Sequence, residues 1–164
     1  MARGLHGFQE AEAIVRPSEV RQHVLGDHRE LRKRLEILEG LVRQVLDGER
    51  RLAGPLRNQA EALLTRLLDH MRWEDRYLSA ALREADAWGQ ERAAALDHEH
   101  REQREILGEA VTRLRDEARP AQRVARELSD LIQRLRADME EEERDLLDER
   151  VLRDDVIGID VEAG

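Results

Sequence analysis

Six residues have side chains that could share a metal: His28, His70, Glu74, His100, Asp138 and Glu142. Two of the stretches that carry them read as copies of one pattern. Laying "LLDHMRWEDRYL" (Leu67 to Leu78) on "LRADMEEEERDLL" (Leu135 to Leu147) puts Met71 on Met139, Glu74 on Glu142, Asp75 on Glu143 and His70 on Asp138. A spacing of i, i+4 places His70 and Glu74 on one helix face a turn apart, and does the same for Asp138 and Glu142. Imidazole suits iron, zinc, copper or nickel and carboxylate suits harder ions, so a mixed set fits iron or manganese well. A carboxylate can also bridge two ions. Three carboxylates in a dry core must be neutralised, because an unpaired buried carboxylate is costly or stays protonated. Two divalent cations come close to balancing them; one does not.

Long helices must bring these six together. Pro17-Ser18, Gly54-Pro55, the "WGQ" at Trp88 to Gln90 and the "ARPAQ" around Pro120 divide the chain into four segments. They span about residues 18–48, 55–87, 91–118 and 120–153, with Ser18 as the expected N-cap of the first. Steps of four and three pick out one face of each. The first face is Val24, His28, Leu31, Leu35, Leu38, Val42 and Val45. The second is Leu56, Ala60, Leu63, Leu67, His70, Glu74, Tyr77 and Ala81. The third is Leu96, His100, Gln103, Leu107, Ala110 and Leu114. The fourth is Val124, Leu128, Leu131, Leu135, Asp138, Glu142 and Asp145. Such stripes face a bundle core. Short connections make neighbours antiparallel, which predicts an all-α, up-down-up-down four-helix bundle. Counting ~1.5 Å of rise per residue from the turns puts all six candidates within about a turn of one level.

The bulk composition agrees and excludes other classes. Charged residues are 40% of the 164, aromatics 2%, and Cys is absent. That is the mixture of long amphipathic helices, and it rules out disulfides and thiolate metal sites. The net charge is −9 and arginines alternate with acids, so no basic patch points to nucleic acid. No apolar run approaches a membrane span and the start has no secretory h-region, so a cytoplasmic chain without a membrane partner is expected.

His28, then His70-x-x-x-Glu74, then His100, then a carboxylate-bearing last helix resembles the hemerythrin-like, or HHE cation-binding, domains. The resemblance covers nearly all of residues 18–153, between an extension (1–17) and a tail (154–164). It implies a non-haem di-iron centre in a four-helix bundle, with dioxygen or peroxide as small ligand and two Fe ions as cofactor; Mn or Zn fits the spacing equally. His28, His70 and His100 would be terminal imidazoles, and Glu74 and Glu142 bridging carboxylates. Asp138 stands where the family usually has a fourth-helix His, and the third helix lacks the paired His of the oxygen carriers, since Leu96 and Arg104 flank His100. An oxygen ligand there favours the ferric state, which weighs against reversible oxygen carriage and adds weight to oxidase, peroxidase or iron-handling chemistry; the expected role is oxygen or peroxide sensing, iron handling or a related redox response. A di-iron peroxidase or oxidase, and a metal-poor interaction module with a degenerate site, stay open as alternatives, as does a homodimer. His98 is a substitute candidate for His100, His23 a neighbour of the site, and Arg104 a cation for a buried carboxylate. His6 and the tail carry no assignment.

Overall fold

In a computed structural model, which describes residues 15–155, four helices follow one another: α1 (Pro17–Leu46), α2 (Ala53–Ala85), α3 (Gly89–Arg115) and α4 (Ala121–Asp145). No strand occurs among the described residues. The chain forms the antiparallel four-helix bundle expected of four amphipathic segments. α1 packs on α2 and α4, and α2 packs closely on α3, whereas α3 and α4 barely approach each other. A groove of about 240 Å³ opens between those two, lined by Ile106, Ala110, Leu131 and Arg134 among others.

The helix ends have local causes. Arg16, not Ser18, precedes α1: Pro17 takes the first turn, where its missing N–H costs nothing, and the Glu19 carboxylate reaches back to the Arg16 N–H at 3.1 Å. Ser18 instead donates from its N–H and Oγ to Asp154, at 2.9 and 2.6 Å, which fastens the chain after α4 to the start of α1. Gly48 follows α1 with φ 107°, a left-handed conformation that suits glycine. A short 3-10 turn (Arg50–Leu52) then leads into α2. At the α2–α3 turn a Cβ on Gly89 would lie 1.9 Å from the Leu82 carbonyl oxygen, so only glycine allows this approach. Arg57 donates to the carbonyls of Leu114 and Arg119, at 2.6 and 2.8 Å, and closes the α3–α4 turn.

α4 ends at Asp145 rather than near Arg153. The acidic run Glu140 to Glu143 sits at the negative end of the helix dipole, where it disfavours another turn. Leu147 and Leu152 fold inward instead and seal that end of the bundle, and Arg21 Nε holds the Leu147 carbonyl at 2.6 Å.

The core has two apolar parts. The larger runs from the α1–α2 turn toward the middle and includes Leu31, Leu35, Leu64, Leu67, Met71, Leu107, Leu135 and Met139. The smaller, at the end near the chain termini of the bundle, includes Val20, Val24, Leu78, Leu82, Leu96, Leu147 and Leu152. Along every helix the change from one to the other falls at a candidate ligand: His28, His70 to Glu74, His100, and Glu142. The stripes are rotated slightly from the expectation. Ile132 and Met139 are buried where Leu131 and Asp138 were expected, Leu78 and Leu82 replace Tyr77 and Ala81, and Asp145 is exposed.

Candidate metal centre

One ligand atom each from His28, His70, Glu74 and Glu142 lies within 4.8 Å of all the others. The two rings meet edge to face with centroids 5.0 Å apart. His28 Nε2 is 3.6 Å from Glu142 Oε2 and 3.9 Å from Glu74 Oε1. His70 Nε2 is 3.0 Å from Glu74 Oε1, yet the pair makes no hydrogen bond. His28 Nε2, Glu74 Oε1 and Glu142 Oε1 are all buried without a partner. Such orphans are costly unless something else satisfies them. Here two acceptor oxygens and an imidazole nitrogen gather at one spot, which is a donor set for a cation.

His100 approaches from α3 on the opposite side of Glu74. Its Nε2 is 3.4 Å from Oε2. The two oxygens of Glu74 therefore face different imidazoles, the placement a carboxylate needs to bridge two ions.

Each imidazole is held from behind by a carboxylate, and each carboxylate by an arginine. His28 Nδ1 lies 2.8 Å from Glu143 Oε1, which Arg32 also holds at 2.7 Å. His70 Nδ1 lies 3.2 Å from Asp27 Oδ2, and Arg66 holds Oδ1 at 2.7 Å. His100 Nδ1 lies 2.6 Å from Asp75 Oδ1, and Arg104 donates to Oδ2. An ionised carboxylate only accepts, so Nδ1 carries the proton and donates it. In the neutral ring Nε2 is then left as a lone pair aimed at the core, the tautomer that metal ligation requires.

The hemerythrin HHE cation-binding domain matches residues 20–149. That is most of the chain and all four helices. The chain belongs to this family. No curated protein and no solved structure matched it. The family binds cations, and the converging histidines and glutamates, set between the two apolar parts of the bundle, are a group that could hold one.

Electrostatics in this hemerythrin-like core are those of a site short of positive charge. Burial raises the Glu142 carboxyl to about 7, and the negative charge of Glu74 adds to the rise. Burial also opposes ionisation of Glu74, but the imidazoles of His100 and His70 beside it outweigh burial and hold that carboxyl below its ordinary value. Burial disfavours charge on His100, yet Glu74 and Asp75 overcome this and raise it to about 9. His28 is raised in the same way by Glu142 and Glu143 against its burial. Protons occupy the places that cations would take.

Of the six residues expected from sequence, His28, His70, Glu74 and Glu142 form the converging group, and His100 lies against the far oxygen of Glu74. Asp138 is half-buried at the edge of α4, where its Oδ2 accepts from Gln103 at 3.3 Å. Burial raises its carboxyl, and the charge of Asp138 helps burial raise Glu99. His98 is exposed and pairs with Glu102 instead of facing the core. His23 stacks on Trp73 at 3.8 Å and lies 3.7 Å from Asp27. His6 lies outside the described residues. Missed as partners of the imidazoles were Asp27, Asp75 and Glu143, with Arg32 and Arg66. A signal for them existed: each carboxylate is the sequence neighbour of a candidate ligand, and each arginine is one turn from a candidate histidine.

Proposed function

We propose that the protein is a non-haem di-iron protein serving oxygen or peroxide sensing, iron handling or a related redox response. The observation that carries this reading is the set of three histidines whose Nδ1 protons are engaged by carboxylates. Their Nε2 atoms are aimed at Glu74 and Glu142, and three atoms of the group are buried without partners. His28, His70 and Glu142 would hold one ion with Glu74 Oε1, and His100 would hold the other at Glu74 Oε2. Ferrous iron, when bound, supplies the electrons that dioxygen or peroxide takes up. The protein's own part is to fix the imidazoles, exclude water with the flanking leucines and keep the Nδ1 protons engaged by the outer carboxylates.

The test is equilibrium dialysis of the metal-free chain against ferrous iron without oxygen, with iron counted per chain and spectra recorded before and after air. Two irons per chain at saturation, with charge-transfer bands that grow in air, are expected. No iron at any concentration would overturn the reading in favour of a helical interaction module. Sustained turnover of peroxide would instead make the chain an enzyme, since a sensor or store reacts once and stops.

A further inference from the structure

The outer partners obey one rule around the bundle. Each carboxylate is the sequence neighbour of a ligand on its own helix, but it serves the imidazole of the next helix round. Asp27, beside His28, serves His70; Asp75, beside Glu74, serves His100; Glu143, beside Glu142, serves His28. Each arginine lies four residues from its imidazole on the same helix: Arg32 after His28, Arg66 before His70, Arg104 after His100. The sign alternates because neighbouring helices are antiparallel, so every arginine stands on the same side of the polar layer.

One step of the circuit remains, from α3 to α4. The rule names Glu99, beside His100, as its carboxylate and a residue four before the imidazole as its arginine. Glu99 and Arg134 occupy those places, and at the position of the imidazole, four residues before Glu142, the chain has Asp138. The group is assembled in space. Gln103 Nε2 lies 3.1 Å from Glu99 Oε1 and 3.3 Å from Asp138 Oδ2, and the charge of Arg134 acts on Asp138. Three quarters of the circuit end in an imidazole, and the last quarter ends in a carboxylate facing another carboxylate. That quarter is also where α3 and α4 separate, and the groove there reaches Arg134, one turn from Asp138.

We propose that the centre holds its two ions unequally: one tightly, at His28, His70, Glu74 and Glu142, and an exchangeable one at His100 and Glu74 Oε2. The inference rests on the metal-binding reading above and deepens it. The tight position has four converging ligands with both imidazoles braced. The exchangeable position has one braced imidazole and a shared carboxylate; its fourth-helix residue is shorter than an imidazole, engaged by Gln103 and close to open solvent. An ion so held can come and go while the first stays. That behaviour lets the chain report iron concentration, or offer a position to a small ligand, without losing the centre.

The experiment is a calorimetric titration of the metal-free protein with zinc, which avoids redox chemistry, followed by desalting and metal analysis. The wild-type chain is expected to retain one ion and to bind a second at least tenfold more weakly. Asp138→His should retain two, because Glu99 and Arg134 already stand ready to brace the new ring. Glu99→Gln should leave the wild-type stoichiometry unchanged, yet in the Asp138→His background it should weaken the second ion about 10- to 100-fold, the usual effect of losing such a partner. Two equally tight ions in the wild type would overturn the proposal, and that measurement needs no variant to fold. Indifference of the Asp138→His second ion to Glu99→Gln would overturn the fourth-partner assignment. No bound zinc at all would remove the metal-binding reading itself, a separate result.

Discussion

The leucine-rich part of the bundle and the polar layer above it are built on the same four helices in one continuous register, yet they follow opposite physical rules. Around Leu31, Leu35, Leu64 and Leu135 every inward residue removes apolar surface from water, which stabilises the fold at roughly 25 cal/mol per Å². One turn further along, the inward residues are His28, His70, Glu74, His100 and Glu142, which cost free energy when dry. The leucines hold the fold. The polar layer is carried by them; arginine–carboxylate pairs balance it outside, and on the proposed reading cations balance it inside.

The largest effect should come from the leucine side. Leu35 is fully buried, and Leu35→Ala is expected to cost about 2–5 kcal/mol in chemical denaturation. The loss should be the same with metal and without it, because the cavity lies in the other part of the core. Next comes removal of the cation. A chain equilibrated with metal at about 100 to 1,000 times its dissociation constant should lose about 3–4 kcal/mol when a chelator strips it. Stability that does not change with the chelator would mean that the polar layer is balanced by protons alone.

Protonation gives the third comparison. Glu142 titrates at about 7 in the folded chain against 4.5 ordinarily, and His100 at about 9 against 6.5. Both are raised, so both make the metal-free fold most stable at low pH. The Glu142 contribution is full below pH 4.5 and lost as pH rises through 7; the His100 contribution is full below 6.5 and lost through 9. The metal-free protein should therefore melt lower at pH 9 than at pH 6, whereas metal should bind more tightly at pH 9 as its ligands give up protons. Glu142→Gln removes the buried charge. It should raise the metal-free stability at pH 8 by on the order of 2 kcal/mol and flatten the pH profile between 5 and 8, while weakening metal binding. A substitution that strengthens the fold and damages the site is the signature of a layer kept for binding.

Helix number, antiparallel order and the level of the site were legible in the sequence because leucine periodicity and turn residues are local signals. The exact face of α4 was not. Leu131 and Ile132, or Asp138 and Met139, satisfy the same spacing to within one residue, and only packing against α1 decides between them. The early end of α4 was also hidden, since "LLDERVL" reads as helix until Leu147 and Leu152 are seen closing the bundle. At the candidate site, residue type and spacing pointed to the histidines and glutamates that converge in the structure, because an imidazole on an apolar stripe is conspicuous. Their partners were not conspicuous. Asp27, Asp75 and Glu143 belong to a chain in which two residues in five are charged, and each acts on a helix other than its own.

Those partners give the smallest and most selective test. Asp27→Asn keeps the size of the side chain and removes the charge that orients His70 Nδ1 and receives Arg66. Asp27 lies outside the leucine core, and its ion pair with the half-exposed Arg66 is partly screened, so denaturation of the metal-free chain should change by less than about 1 kcal/mol. Metal affinity should fall about 10- to 100-fold, because an amide can turn its NH₂ toward the ring and favour the wrong tautomer, which puts the proton on Nε2 where the lone pair is needed. Leu35→Ala should show the reverse, a large loss of stability with metal affinity nearly intact. If Asp27→Asn lowered stability as much as affinity, the outer pairs would be holding the bundle together and the division between the two layers would fail. A loss of affinity alone would place the function of the Asp27–Arg66 pair in aiming one nitrogen.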